Sequence, residues 1–236
     1  GISELTGRMV YELTGAACAG YTQKMRFVTR TTNQEGEVTL ADMRSSSWED
    51  AAGDRFRFDN AQYRNDRQVE QTVGEAVRRK KAGEIRVELT KPKKRVIKVP
   101  VDAMFPIQHS MKLLEAARSG QSVLAANLFD ASEKGEKVYT TTAFIGARHA
   151  PGYNKGLPAV PNADPLDTLP AWPVALSYFD KGNELEDAVP SYELGFVYFD
   201  NGVSRRLLID YGNFSIRGEL KELEFLAAEN CHPAGK

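Results

Sequence analysis

Two cysteines and three histidines are the groups in this 236-residue chain with the widest covalent and proton chemistry. Cys18 and Cys231 stand near opposite ends of the chain. Without a CxxC or a Cys–His cluster at zinc-ligand spacing, no structural metal is expected. On the residues alone two readings stay open: a long-range disulfide formed in an oxidising compartment, or two separate buried thiols in a reducing one. His109, His149 and His232 are scattered. A GxSxG nucleophile elbow is absent, and neighbouring side chains such as Cys231 and His232 rarely converge on one substrate atom. Glu184, Glu186 and Asp187 cluster in a turn-like stretch and read as solvated carboxylates rather than a paired acid and base. With no glycine-rich phosphate loop either, the expectation is a protein without catalytic residues, cofactor or metal.

The aromatic residues carry more information. Tyr11, Phe27, Trp48, Phe56, Phe58, Phe196 and Tyr198 fall mostly on the inward parity of strand-like segments. Their default role is core. On a strongly curved sheet some would instead line an apolar groove suited to acyl chains, and these seven are the candidate ligand groove. RNA-binding sheets also display aromatics, but the accompanying basic–Gly–aromatic motif is missing, so no nucleic-acid partner is expected. Charge is balanced overall, with 31 basic and 32 acidic residues, yet ten basic and only two acidic residues lie between Arg78 and Lys98. Arg78, Arg79, Lys80, Lys81, Lys93, Lys94 and Arg95 are therefore a candidate anion patch for an interaction scaffold. The plainer reading is a solvated, lysine-rich hairpin that keeps a sheet edge from pairing with another chain.

The elements that must position these groups are mainly strands. Met9, Tyr11 and Leu13 alternate with Arg8, Val10 and Glu12, and Ile85, Val87 and Leu89 alternate with Glu84, Arg86 and Glu88. Such alternation means antiparallel strands with one wet face. Turn signals at Asn33–Gly36, Glu133–Gly135, Asp180–Gly182 and Asp200–Gly202 make them a meander of hairpins. Asn201-Gly202 suits a two-residue type I′ turn, which would set Phe196 against Leu207 and Leu194 against Ile209. Apolar parity switches between Leu220 and Leu223, which predicts a bulge or sharp bend near Lys221. One helix is expected over about 106–118, from Pro106 in its first turn to Gly120 beyond its end, with Ile107, Met111, Leu114 and Arg118 on one stripe. It would plug the concave face of the sheet or move as a lid. Six of the eleven prolines fall between Gly146 and Pro173, so 146–173 is a long loop inside a single domain spanning 1–236.

No stretch approaches the run of about 18 apolar residues that a membrane-spanning helix needs, so a spanning protein is not expected. The amino end, Gly1-Ile2-Ser3-Glu4-Leu5, lacks the layout of a secretion signal, which has been removed or lies outside this sequence.

Gly7-Arg8-Met9-Val10-Tyr11-Glu12-Leu13-Thr14-Gly15, followed by Cys18-Ala19-Gly20-Tyr21-Thr22 and Met25-Arg26-Phe27-Val28, resembles the EipB family of cell-envelope integrity proteins. The likeness continues through Arg44-Ser45-Ser46-Ser47-Trp48-Glu49, Met104-Phe105-Pro106 and the stretch from Tyr192 to Cys231. The resemblance implies a many-stranded antiparallel β-spiral, or half-open barrel, wrapped around one helix and similar to the lipoprotein carriers LolA and LolB. It implies a periplasmic location in a Gram-negative bacterium, a disulfide between Cys18 and Cys231, and a further strand upstream of Gly1. The expected function is non-catalytic maintenance of the envelope by a monomer that binds a lipid-like ligand or an envelope protein or peptide in the concave face.

Overall fold

The computed structural model describes residues 1–180, 189–229 and 231. Seven strands come first: β1 (Ile2–Ala16), β2 (Gly20–Asn33), β3 (Val38–Glu49), β4 (Arg55–Arg64), β5 (Arg67–Arg79), β6 (Glu84–Lys91) and β7 (Arg95–Pro100). They pair in chain order as one antiparallel meander with β1 and β7 at its edges. Helix α1 (Pro106–Arg118) follows. Then come β8 (Val123–Leu128), β9 (Tyr139–Ile145), β10 (Ala171–Asp180), β11 (Tyr192–Phe199), β12 (Ser204–Asp210) and β13 (Ser215–Gly218), a second antiparallel meander. The expected mainly-β, open antiparallel architecture with one substantial helix is thus the observed one, its strands divided between two unclosed sheets.

Contacts group the described chain into two compact units. The first takes Gly1–Ile107, Phe129–Lys137 and the end of the chain from Ala227; the second takes Gln108–Leu128 and Val138–Leu226.

In the first unit, cross-strand register sorts side chains onto two faces. Leu13, Gln23, Ser47, Phe58, Gly74 and Leu89 form one row, flanked by a row through Tyr11, Met25, Ser45, Asn60 and Thr72 and by another through Tyr21, Glu49, Phe56, Ala76, Val87 and Ile97. At the β4–β7 end of this face Phe56 and Phe58 pack with Phe105 and Phe129, ring centroids 5.1–6.3 Å apart. All four rings are buried. Burying each such ring stabilises by about 1.5–3 kcal/mol, so this cluster anchors the unit. Phe129 lies in a segment whose Ala131, Glu133 and Lys134 all have positive φ, which is why Ser132–Gly135 coils as a tight left-handed turn rather than a helix.

In the second unit, Leu113, Ala116 and Ala117 of α1 pack against Leu128, Tyr139, Ile145, Trp172, Val174 and Leu176. The helix ends as the sequence signals, with Gly120 donating to the Ala117 carbonyl and Gln121 to that of Ala116. Its buried stripe differs from the expected one. Met111 is exposed, and His109, Leu113, Ala116 and Ala117 face inward with Ile107. Small alanines permit the close helix–sheet approach that a long side chain such as Met111 would block.

Two further expectations are corrected. The hairpin loop holds three residues, Asp200-Asn201-Gly202, with Gly202 at φ +85° and Phe199 N–H bonded to the Val203 carbonyl. The extra loop residue sets Val197 against Arg205. A bulge at Arg206, φ +57°, then returns the register so that Leu194 faces Ile209 as expected, while Phe196 lies opposite the bulge. Near Lys221 no bulge forms, because β13 stops at Gly218 and no strand follows among the described residues.

The loop over 146–173 carries a core of its own. Ala163 and Leu166 bury against Ala171, Val197 and Phe199. Buried Arg205 reaches across to the Asn154 side chain and the Pro158 carbonyl, both at 2.6 Å, and Asn154 in turn donates to Asp167. The prolines shape a packed loop whose last residues, from Ala171, already belong to β10.

Candidate functional site

The two sulfurs of Cys18 and Cys231 are bonded, closing the chain on itself within the first unit. Cys18 lies in the turn between β1 and β2, where Ala19 N–H donates to the Ala16 carbonyl. The bond therefore ties the residues before it to the edge hairpin of the seven-stranded sheet.

That hairpin carries the open part of the apolar face. Met9, Phe27 and Met43 share one row, beside the rows of Tyr11 with Met25 and Leu13 with Gln23. Met9, Tyr11 and Leu13 are 38–49% exposed, and Met25, Phe27 and Met43 are half-buried. They continue the face that Phe105 and Phe129 close over β4–β7. Within these rows Gln23 buries its side-chain carbonyl oxygen without a hydrogen-bond partner. Such an oxygen is costly in an apolar surround.

The seven aromatic groove candidates separate. Tyr11, Phe27, Phe56 and Phe58 share this face, Tyr11 and Phe27 at its open end and Phe56 and Phe58 inside the core. Trp48 projects from the opposite face, because Glu49, its neighbour, takes the inward position in the row with Phe56. Phe196 and Tyr198 belong to the second unit, where Tyr198 donates to the Ser110 carbonyl and burial pushes its hydroxyl pKa up to about 12.

The basic candidates do not form one patch. Arg79 ends β5 with Lys80 and Lys81 following it, and Lys93 and Lys94 precede Arg95, the first residue of β7, so the two groups lie at opposite ends of the eight-residue β6. Their separation is about 26 Å at the usual strand rise. The Arg78 side chain is only 8% exposed: its guanidinium donates to the carbonyls of Gly53, Val101 and Ala103 and lies over the Phe105 ring. Lys80 pairs with Asp54 and Arg95 with Glu136. Arg79, Lys81, Lys93 and Lys94 stay exposed.

His109 is structural. Its Nε2 lies 3.0 Å from the Thr141 hydroxyl, which donates to the Ala126 carbonyl, and burial lowers its pKa to about 4. His149 stacks on Tyr153 with ring centroids 3.9 Å apart. His232, Glu184, Glu186 and Asp187 lie outside the described residues.

Two buried charges have structural roles that the sequence does not reveal, and Arg78, a candidate of the anion patch, is one of them. Glu49, 1% exposed, accepts the Ile107 N–H at 2.7 Å and so caps the first turn of α1. Arg78 fastens the segment leading to that helix. Each breaks the apolar-inward rule, and neither spacing nor composition distinguishes a buried charge from a solvated one. On the wet face, Arg26 and Arg44 bracket Asp42 at 2.8 Å, and their hydrogen bonds pull its carboxyl down to about 2.

Among the described residues no helix is long and apolar enough to cross a membrane. Comparison with known proteins places this geometry in a family. The EipB-like family model matches residues 1–227. The chain is 38% identical over 225 residues to the cell envelope integrity protein EipB of Brucella abortus, covering 95% of this chain and 77% of that protein. A crystal structure of a beta-barrel-like protein from Brucella abortus, of a domain of unknown function, superposes with a TM-score of 0.85 at 36% identity, covering 96% of this chain and 91% of that one. With the family model matching residues 1–227 and both relatives aligned over nearly its full length, the chain belongs to the EipB-like family.

Proposed function

We propose that this protein is a periplasmic, monomeric and non-catalytic contributor to cell-envelope integrity that holds a lipid-like ligand against the β1–β3 end of its seven-stranded sheet. The observation that carries this reading is the continuation of the apolar face beyond its aromatic core, through Met9, Tyr11, Leu13, Met25, Phe27 and Met43. Flexible methionines beside rigid aromatics adapt to acyl chains of varied shape. A disulfide fits an oxidising compartment, and an envelope role fits the name of the Brucella relative. The non-catalytic part is supported by His109 being committed to the core. The chain works as one domain in this reading, since it passes between its two units four times.

Organic extraction of natively purified protein, followed by mass spectrometry, tests the ligand. An acyl-containing species should co-purify and be lost from a Leu13→Ser/Phe27→Ser variant that stays folded. Recovery of a peptide in place of a lipid would assign the face to a protein partner, and equal recovery from both proteins would refute the site. Phe56 is unsuitable for this test, because its ring belongs to the core.

A further inference from the structure

The charged residues of β1–β3 are sorted by face. Arg8, Lys24, Arg26, Arg30 and Arg44 are the basic residues of these strands, and cross-strand register puts all of them on the face opposite Met9, Phe27 and Met43, together with Glu4, Glu12 and Asp42. Of the acidic and basic side chains of β1–β3 only Glu49 turns to the apolar face, where it accepts the Ile107 N–H. Resting on the acyl reading above, we propose that the ligand is an uncharged acyl ester or amide with a hydroxyl or N–H beside its carbonyl, such as a monoacylglycerol, and not a free fatty acid or a phosphate-bearing lipid.

An anionic head group drawn into an apolar surround needs a cation to offset its lost hydration, and left unpaired it costs far more than a hydrogen bond returns. At the row of Leu13, Gln23 and Ser47, the nearest acidic or basic group that β1–β4 place on this face is the buried Glu49 carboxyl, one row away. It offers an anion no compensation. The polar groups of the row itself are neutral. Gln23 buries its side-chain carbonyl oxygen without a partner, and Ser47 stands opposite it across the β2–β3 ladder. That oxygen accepts only, so a ligand hydroxyl or N–H placed against it makes a hydrogen bond where none exists. The serine hydroxyl can donate to an ester or amide carbonyl.

From Gln23 the apolar side chains run two rows along the strands, through Tyr11 and Met25 to Met9, Phe27 and Met43, about 13 Å at the usual strand rise. The polar linkage therefore seats at the disulfide-bound end of the hairpin, and the chain lies toward Met9. On β4 this face carries one basic residue, Arg64, in the row of Thr29 and Ala41. Three rows, about 20 Å, separate it from Gln23, beyond the reach of a head group held there. A carboxylate bound at Arg64 would invert the ligand, so an Arg64 variant separates the two orientations.

The test crosslinks a diazirine-bearing acylglycerol to the oxidised protein at neutral pH and displaces it with monolauroylglycerol or with laurate, each below its micellar concentration. These competitors share one chain length and differ in charge. Monolauroylglycerol should compete about tenfold better, because laurate finds no cation beside Gln23. Gln23→Lys, which sets an ammonium on the face, should reverse that order. Gln23→Met should weaken monolauroylglycerol about threefold and leave laurate unchanged. Arg64→Ala should alter neither competitor. Gln23→Met decides the matter if Gln23→Lys fails to fold. Equal displacement by the two competitors, monolauroylglycerol unmoved by Gln23→Met, or loss of laurate displacement in Arg64→Ala overturns the proposal and leaves an acyl ligand standing. Displacement by neither competitor overturns the acyl reading itself, and this assignment with it.

Discussion

The two ends of the apolar face of the seven-stranded sheet share one alternation and differ in what covers them. Over β4–β7, Phe56 and Phe58 are sealed by Phe105 and Phe129, and Arg78 and Glu49 bind the backbone that brings those rings in. Over β1–β3, Met9, Tyr11 and Leu13 stay open to solvent, and a disulfide rather than an aromatic lid secures the hairpin. A period of two fixes which way a side chain points. Its burial depends on distant segments, here Phe105 and Phe129, that fold back over it.

The largest expected effect breaks the open end. Replacing Cys18 and Cys231 with serine removes a crosslink across 213 positions, which in the chain-entropy model is worth about 5 kcal/mol. Urea unfolding should show a lower midpoint, with near-native strand content before the transition. At the closed end, Phe56→Ala should destabilise by about 3–5 kcal/mol, because the surrounding rings cannot collapse into the cavity. By contrast, Tyr11→Ser should shift stability by less than about 0.5 kcal/mol, as an exposed position does. Equal losses at Phe56 and Tyr11 would erase the distinction between the ends.

How far the sequence foretold this division can be seen residue by residue. Helix α1 was legible because Pro106 and Gly120 act locally on backbone geometry. The Leu194–Ile209 pairing was legible, but its mechanism was not: a three-residue loop and a bulge at Arg206 displace the register in opposite senses and cancel. Trp48 was misassigned because aromatic character outweighed strict parity, which gives the inward position to Glu49. The basic run suggests one patch because its members are neighbours in sequence, whereas β6 carries them to opposite ends of a strand. Glu49 and Arg78 were illegible, since their partners are backbone groups far along the chain.

A smaller effect comes from the second unit and separates its core from both ends of the sheet. His109 titrates near 4 when folded, below its ordinary 6.5, because burial disfavours the charged ring. Between those values the unfolded chain binds more protons than the folded one. Stability therefore rises with pH across this window and is lost as the solution is acidified through it, by at most roughly 3 kcal/mol. His109→Gln should flatten the dependence of the unfolding midpoint between pH 6.5 and pH 4. A slope unchanged in that variant would place the acid sensitivity elsewhere.

The open face is the central claim, and a photoactivatable acyl probe tests it most directly. Crosslinked to the oxidised protein and mapped by peptide mass spectrometry, the probe is predicted to label the segments carrying Met9–Leu13 and Met25–Phe27 and to be competed away by unlabelled fatty acid. Labelling that avoids β1–β3, or that no competitor displaces, would contradict it.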